Sequence, residues 1–237
     1  MHQNGTYFQL VEAPPVGTAR VVPPSAGQLR ILALLLVATL LSVGCTSAPE
    51  KPTQRDATAE QVYQLCTQCH GPQLQGKPDI AAPAVAGLPD WYIEAQLHKF
   101  KGGIRGSHFD DLPGMRMRPM AMSLTEADIT AIAGLVSKLP VQESHPSLEG
   151  GNAEAGKMLF APCTACHGPE AKGNPALKAP PLAQANDWYL FTQLHNFKHG
   201  VRGANPNDTT GAQMRPMAQG LADEQAMRDV VAYIGTL

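Results

Sequence analysis

The chain has 237 residues, a formal charge of -2 and only 5% aromatic side chains. That length holds one large domain or two small ones. The near-neutral balance points away from nucleic acid as a partner, and so few aromatics are thin filling for two cores.

Residues 1–29 form a Pro-rich preface (Pro14, Pro15, Pro23, Pro24) to which no fold is assigned. An apolar run from Ile31 to Val43 follows Arg30 and precedes Gly44-Cys45. At about 13 residues it falls short of the ~20 that a membrane-spanning helix needs, and it suits the hydrophobic region of a signal peptide. A small residue directly before a lone cysteine resembles a bacterial lipobox, although Ser42 stands where Leu is usual. On that reading residues 1–44 are an extension with a signal segment, and Cys45 is the lipidated first residue of a mature protein. The protein is then expected in the bacterial periplasm, anchored to the membrane; an uncleaved anchor or a plain secretory signal are the alternatives. Residues 45–57, polar with Pro49 and Pro52, read as a tether.

A first domain is expected over 58–140. It opens with a helical stretch from Thr58 to Leu65 that runs into Cys66-Thr67-Gln68-Cys69-His70. The spacing C-x-x-C-H is that of covalent c-type haem attachment. Two thiols add across the haem vinyl groups, and the adjacent imidazole lies under the iron as its proximal ligand. Half of a zinc site, or a thioredoxin-like pair, is the alternative for a single copy. A Gly/Pro-rich loop follows, and Asp90 is expected to cap a second helix with Trp91, Ile93, Leu97 and Phe100 at near-helical spacing. Then comes a methionine-rich loop (Met115, Met117, Met120, Met122). A last helix, capped by Ser123 or Thr125, carries Ile129, Ile132, Ala133 and Val136. Residues 141–151 read as a linker.

The second domain, 152–237, repeats the first, at an offset of 97 residues that holds without a gap from the first haem cysteine to the last loop. Cys163-Thr164-Ala165-Cys166-His167 matches the first attachment motif, and Asp187-Trp188-Tyr189 matches Asp90-Trp91-Tyr92. Phe197-Lys198 matches Phe100-Lys101, Arg202-Gly203 matches Arg105-Gly106, and Met214-Arg215-Pro216-Met217 matches Met117-Arg118-Pro119-Met120. Two motifs in matching contexts make the zinc alternative untenable: the chain is expected to carry two covalent haems c, whose buried macrocycles supply the missing apolar bulk. Of the five cysteines, haem claims Cys66, Cys69, Cys163 and Cys166, leaving Cys45 and no pair for a disulfide.

An all-helical domain with C-x-x-C-H in its first helix and a methionine ahead of its last helix resembles class I cytochrome c. Two in tandem, each with a Gln-Leu…Phe-Lys-x-Gly-x-Arg stretch, resemble the dihaem cytochromes c4. The resemblance spans residues 58–237. It implies an all-α chain of two such domains, each of about three main helices wrapped round a haem that exchanges one electron. It further implies that the carbonyls of Pro83 and Pro180 accept from the proximal imidazoles of His70 and His167. Within the methionine segment, Met115 aligns with Ala212 and Met122 with Gln219, so neither can serve a role common to both halves. Met117/Met214 and Met120/Met217 remain. In cytochromes of the c4 type the distal ligand lies seven residues before the Leu that opens the last helix, which selects Met117 and Met214 over Met120 and Met217.

Arg105 and Arg202, with Trp91 and Trp188, are candidates for contacts to the haem propionates, because a carboxylate beside apolar haem must be paired. His98 and His195 repeat, yet methionines already stand where a distal ligand should come from, so they read as surface histidines. His108, His145 and His199 have no counterpart in the other half. The chain therefore reads as an electron carrier between a redox-protein donor and acceptor of a respiratory chain, with no catalytic residues. Alternatives are the electron-accepting subunit of a larger dehydrogenase or oxidase, or a dihaem enzyme such as a peroxidase.

Overall fold

The computed structural model describes residues 58–142 and 146–237. The N-terminal extension, Cys45, the tether and His145 lie outside the described residues. Among the described residues no helix is long and apolar enough to cross a membrane.

The first half has four α-helices: α1 (Ala59–His70), α2 (Asp90–Lys101), α3 (Leu112–Met122) and α4 (Glu126–Val136). Thr58 starts α1 with a reciprocal cap, accepting from the Gln61 N–H while its own N–H donates to Gln61 Oε1 at 2.9 Å. Asp90 lies inside α2 rather than ahead of it; Pro89 holds the cap position, and Asp90 accepts the neighbouring Trp91 N–H. Thr125 caps α4 by the same reciprocal arrangement with Asp128.

The methionine segment differs from the loop expected of it: it is helix α3. Asp111 accepts the Gly114 N–H, and Pro113 sits in the first turn, where a missing N–H costs nothing. Pro119 falls inside the helix, which ends three residues later at Met122.

The second half repeats this with one break. The counterpart of α1 is divided into α5 (Ala153–Phe160), a 3-10 turn (Ala161–Cys163) and α6 (Thr164–His167). The cause is local: Pro162 stands where the first half has Leu65, and proline disrupts a helix interior. Then follow α7 (Asp187–Lys198), α8 (Thr209–Gln219) and α9 (Glu224–Ile234). Asp208 caps α8 as Asp111 caps α3.

Two cores result. Val62, Leu74, Ala86, Ile132 and Val136 are buried together in the first half. Phe160, Ala171, Leu221, Met227, Val230 and Ile234 form the second. Helix α9 packs on α5 and α7, as α4 packs on α1 and α2. Gly156 of α5 lies directly against the Asp229 carbonyl of α9, a contact that only a residue without Cβ allows.

Candidate haem sites

Each attachment motif ends its helix on a buried histidine. His70 is 7% exposed and His167 5%. The Nδ1 of His70 lies 2.7 Å from the Pro83 carbonyl, and that of His167 2.8 Å from the Pro180 carbonyl. Nδ1–H donation of this kind fixes ring orientation and leaves Nε2 free for a metal. Burial draws the pKa of both imidazoles below its usual value, with the proline carbonyls opposing. The neutral ring, the form that ligates, is thereby favoured.

The loop that delivers each proline is tightly pinned. The Gly76 N–H donates to the His70 carbonyl at 2.8 Å, and the Gly173 N–H to that of His167 at 2.8 Å. Isolated bridges join Lys77 with Ala82 and Asn174 with Ala179. Gly76 has φ +88°, and a Cβ there would come within 2.6 Å of the Ala84 nitrogen. Both features require glycine.

A cavity opens beside Cys66, Cys69 and His70, walled by Pro83, Ile93, Leu97, Phe100, Met117 and Met120. A second lies beside Cys163, lined by Leu194, Met214 and Met217. Cys66 and Cys163 are half-buried while Cys69 and Cys166 are exposed. Burial pushes the Cys66 thiol up to about 11 and raises that of Cys163. Such thiols are protonated at neutral pH and are the groups that thioether formation consumes. Among the described residues no three His, Cys, Asp or Glu side chains gather to hold a metal ion. A ligand set of one histidine and one thioether suits an iron whose four other positions are filled by a macrocycle. In the first half, an apolar slot between a buried imidazole and a methionine helix, with two thiols at its edge, fits haem c; in the second, the cavity lies between Cys163 and both methionines.

Both methionines of each pair line their cavity, but they differ in exposure: Met117 and Met214 are half-buried, whereas Met120 is 44% and Met217 40% exposed. The repeated histidines line neither cavity. His98 is exposed beside Glu126, at 3.5 Å, and the His195 ring lies tilted against His199 with ring centroids 4.3 Å apart.

Arg105 and Arg202 meet at the boundary between the halves. Arg105 Nη1 donates to Gln96 Oε1 at 2.8 Å, and Arg202 Nη2 reaches the same oxygen from the other half at 3.1 Å. Arg202 Nη1 donates to Gln193 Oε1 at 2.7 Å. Each guanidinium lies over a phenylalanine, Arg105 on Phe100 and Arg202 on Phe197. Burial alone would raise the Tyr189 phenol, but Arg105 and Arg202 outweigh it and hold its pKa below the usual value. Tyr92 and Tyr189 in turn raise Arg202 against the opposing effect of burial. The Nε atoms of both arginines are buried without a partner, as are those of Arg118 and Arg215 beside the methionines. Four orphaned N–H donors in two repeat-related pairs are what an anionic group bound between these elements would satisfy.

Trp188 does not line the cavity of its own half. With Tyr189, Thr192 and Gln193 it helps wall the first cavity, so the two halves share a partition. Trp91 is approached by Lys178 of the second half, whose Nζ lies 5.7 Å from the ring centroid. The signal for Arg118 and Arg215 was in the repeat, since Met-Arg-Pro-Met recurs whole; what the sequence did not show is that the segment is helical.

The model of the family described as Cytochrome c matches residues 57–140 and 153–237. A thiosulfate dehydrogenase electron acceptor of Stutzerimonas stutzeri is 29% identical over 84% of this chain and 93% of its own. Cytochrome c-552 of Acidithiobacillus ferridurans is 32% identical over 86% of this chain and 85% of its own. Among solved structures, the cytochrome c4 of Acidithiobacillus ferrooxidans superposes with a TM-score of 0.59 at 31% identity, covering 73% of this chain and 98% of that one.

Proposed function

The chain belongs to the cytochrome c family, and from that premise we propose that it is a membrane-tethered, periplasmic relay passing single electrons between two redox proteins. It is a c4-like dihaem electron carrier with two covalently bound haems c. The observation that carries the relay reading is the shared partition: Trp188, Tyr189, Thr192 and Gln193 of the second half wall the haem cavity of the first. Electrons entering at one half then have a packed route to the other.

Bound haem supplies reversible one-electron exchange at iron. The protein's part is to hold it. Cys66 and Cys69, and Cys163 and Cys166, anchor the macrocycles. His70 and His167, oriented by the carbonyls of Pro83 and Pro180, would present Nε2 to the iron. Met117 and Met214 would supply the thioether ligands, since their partners Met120 and Met217 are more exposed. Thioether ligation raises the potential and leaves no open coordination position. Arg105 and Arg202 would supply donors for propionates, and Trp188 walls the same cavity as Arg105, whereas Trp91 lines neither cavity.

Two relatives are named as thiosulfate dehydrogenase electron acceptors, and others as cbb3-type oxidase subunits. A dehydrogenase donor and an oxidase acceptor are therefore the partner classes to try. Cys45, behind an apolar run and ahead of a Pro-rich tether, is the proposed lipid attachment point.

Two measurements test this reading. The purified protein should take up two electrons per chain and bind carbon monoxide or cyanide poorly. Stoichiometric ligand binding to one native haem, with peroxide turnover, would replace the carrier by an enzyme. Changing Cys45 to Ser should release haem-loaded protein from membranes or leave an unprocessed precursor; retention of cleaved protein on membranes would refute the anchor.

A further inference from the structure

Where the two halves differ, duplication has been overwritten, and one such difference lies at their boundary. Lys99 of α2 reaches across to the start of α8. Its Nζ stands 2.6 Å from Asp208 Oδ1 and 2.5 Å from Thr210 Oγ1. Neither charge is in water: the side chains are 14% and 1% exposed. Asp208 is the cap of α8, its Oδ1 also accepting the Gly211 N–H at 3.0 Å, and Met214 lies six residues along that helix.

The repeat supplies an internal control. The counterpart of Asp208 is Asp111, also buried, which caps α3 through the Gly114 N–H. The counterpart of Lys99, however, is Asn196, and that of Thr210 is Pro113. Both methionine helices therefore start on a buried carboxylate, but only the second is met by a lysine from the opposite half.

We propose that Lys99 is a cross-domain positioning residue for the second haem, neutralising Asp208 and holding the Met214 helix so that the two haems are inequivalent. The inference rests on Met214 being the distal ligand. Two effects act with one sign. A buried carboxylate that has lost its ion-pair lysine, with only the more distant Arg202 charge left to offset it, favours the more positive, oxidised haem. A helix start left with an unpaired charge also weakens the hold on the thioether, whose ligation keeps the potential high. Without the lysine the second potential falls.

The experiment is spectroelectrochemical titration of the holoprotein, with each midpoint assigned through Met117→Ala and Met214→Ala. Lys99→Asn should lower the second midpoint relative to the first and weaken the second haem's share of the red-end Fe(III)–thioether band. Lys99→Asn combined with Asp208→Asn, which retains a capping side chain but removes both charges, should bring the second midpoint back toward the wild type. Asn196→Lys should raise the first midpoint and leave the second. Unchanged midpoints in Lys99→Asn, equal shifts of both haems, or no recovery in the double variant would overturn the role of Lys99. If Met214→Ala leaves the band intact, the ligand assignment fails instead, and that result is separate from the Lys99 series.

Discussion

Gln96 is predicted to matter more to the union of the two halves than its repeat partner Gln193. Its Oε1 accepts from Arg105 Nη1 at 2.8 Å and from Arg202 Nη2, across the boundary, at 3.1 Å. Gln193 Oε1 has one good bond, from Arg202 Nη1 at 2.7 Å; its cross-boundary approach to Arg105 Nη2 is 3.4 Å, beyond the usual range. A hydrogen bond to a charged group contributes about 1.5–3 kcal/mol net, and the site is only part-buried, so the lower end applies. Gln96→Ala should then cost about 3 kcal/mol and Gln193→Ala about 1.5 kcal/mol. For a unit of this size 1 kcal/mol shifts Tm by roughly 2–4 °C, giving losses of about 6–12 and about 3–6 °C. Calorimetry of the holoprotein measures both, and Gln96→Glu, which keeps an acceptor, should lose little. Equal losses, or a larger one for Gln193→Ala, would refute the reasoning.

Met117→Ala should abolish the first haem's share of the Fe(III)–thioether band and lower its potential, while Met120→Ala leaves the band largely intact; redox titration with optical detection separates them. Gly76→Ala should cost roughly 2–5 kcal/mol, from the positive φ and the crowding of the Ala84 nitrogen, and should reduce haem content on purification. Asp187 accepts from the Ser147 and Leu148 N–H groups and the Ser147 hydroxyl. Desolvation would raise its pKa, but these bonds together hold it below the usual carboxylate value. Its stabilisation is therefore present above the unfolded carboxylate pKa and lost as pH falls through the lower folded value. Amide exchange at Ser147 and Leu148 should be faster in Asp187→Asn at neutral pH, with the difference vanishing in acid.

Much of the site was legible because the sequence carries its own alignment. The attachment motifs, and the choice of which methionines could matter, follow from positions that recur at one offset. The helical methionine segment was not legible, since Gly114, Pro113 and Pro119 all read as loop residues. Its helix depends on Asp111 capping and on Pro113 falling in the first turn, where its defect is harmless. Beyond the last loop, where the gapless offset ends, α4 begins at Glu126 and α9 at Glu224, one residue further than an offset of 97. The buried set Ile129, Ile132, Ala133 and Val136 is answered by Met227, Val230, Val231 and Ile234, a correspondence visible only once that extra residue is placed.

The arginines show why residue type and repetition stop short of placement. Propionate pairing treats Arg105 and Arg202 as belonging each to one haem. In the structure each also reaches toward a glutamine of the other half, and the buried Nε atoms are what remains unsatisfied. A guanidinium has five donors, so holding the domains together and receiving an anion are compatible uses of one side chain. Arg105 and Arg202 thus join the halves through Gln96 while their buried Nε–H groups remain to meet an anion.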